Sequence, residues 1–153
     1  MADSSPLILF ARIGQLGMLQ ALFDELLIPP AVYREVVERG RGRPGASEVA
    51  GAQWIRVQRP AGGATGLTKL GAGEAEAIAL AEERRLALLV DDRGGRAVAA
   101  ARRIEVIGSA GVLLTAKRRG LIVVMQPLLD ELLAIGLHLD DGLYAGVLAL
   151  AGE

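Results

Sequence analysis

Apolar residues return along this chain in two rhythms. Leu16, Leu19, Leu22, Phe23 and Leu26 recur at the spacing of one helical face. Leu27-Ile28 is a brief buried strand ended by Pro29-Pro30, and Pro30 suits the first turn of a helix. That helix carries Val32, Tyr33, Val36 and Val37, with Glu35 beside the stripe. A short helix is predicted over Ala46 to Gln53, and Trp54 to Val57 alternates as a strand does. A helix is predicted from Gly73, then a strand from Leu86 to Val90, a helix from Ala97 to Arg102 and a strand from Ile104 to Ile107. Gly108-Ser109 leads into a helix through Leu113, Leu114 and Lys117, closed by Gly120. Leu121 to Met125 reads as extended or as the lead into a helix over Pro127 to Ile135, which Gly136 caps. Asp141 is expected to be the N-cap of a last helix through Tyr144, Val147 and Leu148.

Helices thus alternate with short apolar strands. This predicts an α/β fold whose parallel sheet is covered on both faces. Arg39 to Gly45 and Pro60 to Gly66 are loops by composition. With no repeat, linker or visible boundary, residues 1–153 read as one domain.

Composition narrows the chemistry. A net charge of -1 gives no overall basic field, so nucleic-acid binding needs a local patch. The absence of cysteine removes disulfides and thiolate catalysis, and it fits a cytoplasmic location. A single histidine, His138, excludes a multi-histidine metal site and is a poor member of a serine triad. No apolar run approaches the ~20 residues that span a bilayer, so no membrane association is expected. Gly71-x-Gly73 lacks a third glycine and follows no strand, so it makes a poor dinucleotide loop, and there is no phosphate-binding Walker pattern.

The acids are what remains. Each lies after a strand or on a helix that begins near a strand end: Asp3, Glu35, Glu74, Glu76, Asp91 and Asp92. In open parallel sheets that edge is where ligands bind. At ~100° per residue, Glu74 falls within the apolar arc of Ala77, Ile78, Leu80 and Ala81, whereas Glu76 lies about 120° from its centre. Rotation therefore favours Glu74 as the inward acid; Asp91 and Asp92 are not separated by it. Like charges ~4–5 Å apart repel by roughly 3–4 kcal/mol per pair at an effective dielectric of about 20. Several such pairs call for a cation, and all-oxygen ligation selects Mg²⁺ or Mn²⁺. Carboxylate-held Mg²⁺ activates water, which suggests phosphodiester hydrolysis.

Five segments carry a resemblance: Asp3-Ser4-Ser5-Pro6-Leu7-Ile8, Ile28 to Val36, Leu70 to Ile78, Val90 to Ala97, and Gly108 to Lys117. In this order the set resembles the PIN-domain superfamily, and more narrowly its PIN-like toxin-type branch of small bacterial and archaeal ribonucleases. The resemblance implies a three-layer α/β/α fold with a parallel sheet in the order 3-2-1-4-5. It implies a metal-dependent endoribonuclease, the toxin of a toxin–antitoxin pair, using Mg²⁺ or Mn²⁺. The catalytic acids would be Asp3, Glu35, Glu74 or Glu76, and Asp91 or Asp92, with Ser5 supporting Asp3 and with Arg93 and Arg96 on the RNA backbone. RNA, a small antitoxin protein and a second copy of the chain are the implied partners. The Arg39 to Arg43 loop is a further candidate for RNA phosphate.

Two other readings compete. One is a catalytically degenerate PIN-like module that binds RNA or protein. The other is a phosphoacceptor receiver, suggested by Asp91-Asp92, Ser109 and Lys117, although here the acid pair follows the fourth strand and receivers carry it at the first.

Overall fold

Prolines, glycines and short polar side chains set the element boundaries. The computed structural model describes residues 1–153. Helix α1 (Ser4–Arg12) and helix α2 (Leu16–Phe23) are parted at Gly14, whose φ of 68° suits glycine. Strand β1 (Leu26–Ile28) follows, and Pro30 opens helix α3 (Pro30–Tyr33) where no helical partner exists for the N–H it lacks. α3 runs directly into a π-helical turn, Arg34–Glu38. Helix α4 (Ala46–Gly51) starts with the Gly45 N–H donating to Glu48 Oε2 at 2.9 Å. After strand β2 (Ile55–Val57), helix α5 (Ala72–Arg84) is built largely of strong helix formers and stops at Arg85, which turns left-handed at φ 54°. Strand β3 (Leu88–Leu89), helix α6 (Arg93–Ala101), strand β4 (Val106–Ile107) and helix α7 (Ser109–Arg118) complete the alternation. Helices α8 (Gln126–Ala134) and α9 (Asp141–Leu150) close the chain.

The fold is α/β, with parallel strands as the alternation predicts. β1 pairs β2 in parallel, with Leu26 opposite Ile55 and Ile28 opposite Val57. β3 pairs β4 in parallel, with Leu88 opposite Val106. Met1 to Asp3 lie between these ladders. Ala2 N donates to Leu27 O at 3.1 Å on one side. On the other, Leu89 N donates to Met1 O at 2.8 Å and Asp3 N to Leu89 O at 3.0 Å. In place of one continuous five-stranded sheet, two short ladders meet through these N-terminal residues. Successive strand residues face opposite sides, and Leu88 and Leu89 are 1% and 2% exposed, so both faces are covered. A contiguous apolar core runs from Met1 to Leu148.

Several boundaries differ from the sequence reading. α6 begins at Arg93, ahead of the expected Ala97, because the Asp92 carboxylate accepts the Gly95 N–H at 2.9 Å and draws Gly94 and Gly95 into the first turn. Asp140 caps α9 in place of Asp141, with Oδ1 accepting from Leu143 N at 2.8 Å. Leu121 to Met125 joins no ladder: the Met125 and Gln126 N–H groups donate to the Glu153 carboxylate at 2.8 and 3.0 Å. Lys117 Nζ lies 2.6 Å from the same carboxylate and, with those amides, pulls its pKa down to about 2. No helix is long and apolar enough to cross a membrane.

Candidate metal centre and groove

Asp3 is placed by main-chain pairing. Its N–H is held by Leu89 O, its extended backbone (φ -82°, ψ 171°) makes it the N-cap residue of α1, and it is only 3% exposed. Burial of the charged form pushes its pKa up to about 7. The Ser4 N–H works against that shift, while the charges of Glu74, Glu35 and Asp92 add to it.

Glu35 sits on the π-helical turn, a geometry frequent at functional sites. Ser4 Oγ donates to its Oε2, and Gly73 N donates to its Oε1 at 3.1 Å. Ser5, expected to support Asp3, is exposed and lines a surface groove, so the buried hydroxyl beside the acids belongs to Ser4. The sequence reading gives neither Ser4 nor Gly73 a role beside the acids. A glycine in the first turn of a helix of strong formers was the available signal for Gly73. For Ser4 the sequence offers none.

Helix α5 sends Glu74 and Glu76, the two acids of its first half, apart. Glu74 is partly buried, and burial, followed by the charge of Asp92, raises its pKa; Glu35 adds to the effect. Glu76 turns toward α3, where its Oε2 accepts the Ala31 N–H at 2.9 Å and so satisfies an unpaired donor at a helix start.

The acid pair after β3 also divides. Asp91 accepts from Ser109 twice, from N–H at 2.7 Å and from the hydroxyl at 2.6 Å. Burial raises its pKa, while these bonds and the Arg96 charge oppose the rise. Asp92 is exposed, spends Oδ2 on Gly95 N and bears on both Asp3 and Glu74 electrostatically. Arg96 Nη1 donates to Val90 O at 3.2 Å, which holds it beside Asp91, and Arg93 is exposed at the start of α6.

Asp91, Asp92, Arg93 and Arg96 line a groove of about 1230 Å³ that Ser5, His138 and residues of α9 also line. The Arg39 to Arg43 loop does not line it; those arginines are exposed elsewhere on the surface.

The charges of Glu35, Glu74 and Asp92 thus bear on Asp3, and Glu35 and Asp92 also accept protein donors, whereas Glu76 and Asp91 meet backbone or hydroxyl donors without adding to that cluster. No three of the acids are arranged as a ready-made cation cage. The donor chemistry nonetheless fits a hard cation: it is all oxygen, and Asp3 is buried among like charges with no basic side chain shifting its pKa downward.

A family model described as a PIN domain matches residues 1–153. Comparisons with curated proteins and with solved structures give no match.

Proposed function

The chain belongs to the PIN-domain family, and on that premise we propose that it is a metal-dependent endoribonuclease that hydrolyses RNA phosphodiester bonds. PIN domains are in general nucleases and in general use divalent metals. One observation carries the reading for this chain. Asp3 is 3% exposed, and its pKa is raised by burial and by Glu74, Glu35 and Asp92 together. Such a cluster favours a divalent cation as the partner that restores its ionised form.

Asp3, Glu74 and Asp92 are the acids we assign to Mg²⁺ or Mn²⁺. When bound, the ion supplies positive charge for the phosphate and lowers the pKa of a coordinated water. The remaining roles fall to the protein. Asp92 keeps one carboxylate oxygen free of protein donors, Oδ2 being held by Gly95. Asp91, locked to Ser109, and Arg96, anchored on Val90 O, shape the groove wall beside it. Arg93, exposed and lining the groove, is the residue we assign to an RNA phosphate.

A toxin role in a toxin–antitoxin pair, a small antitoxin partner, a cytoplasmic location and a homodimer are part of the same proposal and rest on the resemblance to the toxin-type branch. Growth arrest on expression, relieved by a neighbouring small protein, would support the toxin role.

The decisive measurement is RNA cleavage with Mg²⁺ or Mn²⁺. Wild type is expected to cut and Asp92→Asn to lose at least about 100-fold, on the scale of removing a group that acts in the transition state. Full activity in Asp92→Asn overturns the assignment. A second reading, a catalytically inactive PIN-like binding module, is favoured by the lack of a ready-made cation cage. No Mn²⁺ binding at millimolar concentration would select it.

A further inference from the structure

Both oxygens of the Glu35 carboxylate are taken up by protein donors, the Ser4 hydroxyl on Oε2 and the Gly73 N–H on Oε1. Ser4 directly follows Asp3, and Gly73 directly precedes Glu74. One side chain therefore ties together the residues beside two of the acids assigned to the cation, Ser4 through its hydroxyl and Gly73 through its N–H. The space it occupies is specific to glycine. A Cβ on Gly73 would stand 2.5 Å from Oε2 and 2.8 Å from Oε1, so any other residue displaces this carboxylate. Ser4 is 8% exposed, and a hydroxyl so buried is costly without a partner. The π-helical turn that carries Glu35 also sits against α1, α4 and α3, so the brace has rigid support.

We propose that Glu35 is a positioning residue: it bridges Ser4 and Gly73 to fix Asp3 relative to Glu74, and it gives no oxygen to the cation. The inference rests on the nuclease reading and assigns Glu35 a role distinct from that of the other acids.

A neutral Glu35→Gln side chain rebuilds the brace. Its amide oxygen accepts the Gly73 N–H, and its amide N–H donates to Ser4 Oγ, whose own hydrogen rotates away. Glu35→Ala cannot do this. Two readouts separate the roles: Mn²⁺ affinity by calorimetry, and exchange of the Gly73 amide hydrogen by nuclear magnetic resonance in metal-free protein. Glu35→Ala should weaken Mn²⁺ binding by about 10–100-fold, the scale seen for outer-shell partners of metal ligands, and should speed Gly73 exchange. Glu35→Gln should rescue both to within about threefold of wild type. Ser4→Ala, which removes one arm and no charge, should weaken Mn²⁺ binding in the same direction and serves if Glu35→Ala does not fold.

If Glu35→Gln loses as much affinity as Asp92→Asn while Gly73 stays protected, Glu35 is a ligand and the proposal is overturned. Wild-type affinity in Ser4→Ala overturns it too. A wild-type protein that binds no Mn²⁺ removes the nuclease reading instead. The brace is then decided by exchange alone, and Gly73 exchanging as fast in Glu35→Gln as in Glu35→Ala overturns it.

Discussion

Ser109 donates to Asp91 twice, its backbone N–H reaching Oδ1 at 2.7 Å and its hydroxyl Oδ2 at 2.6 Å. This fastens the end of β3 to the start of α7 and leaves Asp92 as the acid of the pair that turns to Asp3 and Glu74. Ser109 is fully buried. Ser109→Ala is therefore expected to destabilise the fold by about 1–3 kcal/mol, since Asp91 keeps a mostly buried oxygen without its donor. Urea unfolding measures this, and a loss below about 0.5 kcal/mol would show that the second bond contributes little.

Asp92 has two duties that one substitution can separate. Its carboxylate caps α6 through Gly95 N at 2.9 Å. Asn is as good an N-cap, so Asp92→Asn should keep stability within about 0.5 kcal/mol while weakening Mn²⁺ binding; Asp92→Ala should lose about 1 kcal/mol as well. Thermal melts beside a Mn²⁺ titration test both halves. Equal stability loss in the two variants would contradict the capping role.

Glu76 should matter to stability and little to cleavage. Its carboxylate accepts the Ala31 N–H at 2.9 Å. Glu76→Ala is expected to cost about 1 kcal/mol in unfolding free energy. If RNA cleavage falls in Glu76→Ala as far as in Asp92→Asn, Glu76 belongs with the cation ligands.

Stability of the metal-free protein should depend on pH in an unusual direction. Asp3 is pushed from its ordinary 3.8 up to about 7, first by burial. A raised carboxyl pKa means that the folded state holds its proton longer than the unfolded chain. The stability this contributes is full below about pH 4 and lost as pH rises through about 7; it amounts to roughly 4 kcal/mol at most. Glu74 and Asp91 are also shifted upward and act in the same sense. Glu153, held down at about 2, opposes them at the acid end, below its ordinary 4.5, and the Met1 amino group, lowered by burial from 8.0 to about 6, opposes them between about pH 6 and pH 8. The urea midpoint in chelator should thus fall between about pH 4.5 and pH 6, below the range where the Met1 amino group acts, and Mg²⁺ should restore more stability at the higher pH. A midpoint that rises over that interval would mean that Asp3 is charged without penalty.

Much of the fold was legible because it rests on local signals. Pro30 marked a helix start, and Gly73 with the acids after it marked another. The ladders were harder to size. Leu86 to Val90 is apolar throughout, yet only Leu88 and Leu89 pair, because pairing depends on where residues 106–107 lie. Within the site, helical rotation shows that Glu74 and Glu76 point in different directions, since these are set within a single helix, but not that Glu76 meets the Ala31 N–H on α3. Asp91 and Asp92 could not be separated that way. Their division is decided by Ser109, 18 positions on from Asp91, and by Gly95. The same limit concealed Ser4, whose partner lies 31 positions away on another helix.

The pairing of Met1 to Asp3 between the two ladders also sets an order of events. Asp3 N finds its acceptor only on Leu89, and Met1 O its donor only there, although residues 1–3 leave the ribosome well before residue 89. The β1–β2 ladder needs nothing beyond residue 57. A nascent chain that already carries Asp3, Glu35 and Glu74 still has no fixed place for Asp3 until residue 89 has emerged, and the loop then closed is a long one. On the proposed nuclease reading, the cation site is thereby left incomplete in the unfinished protein until the chain has passed residue 89.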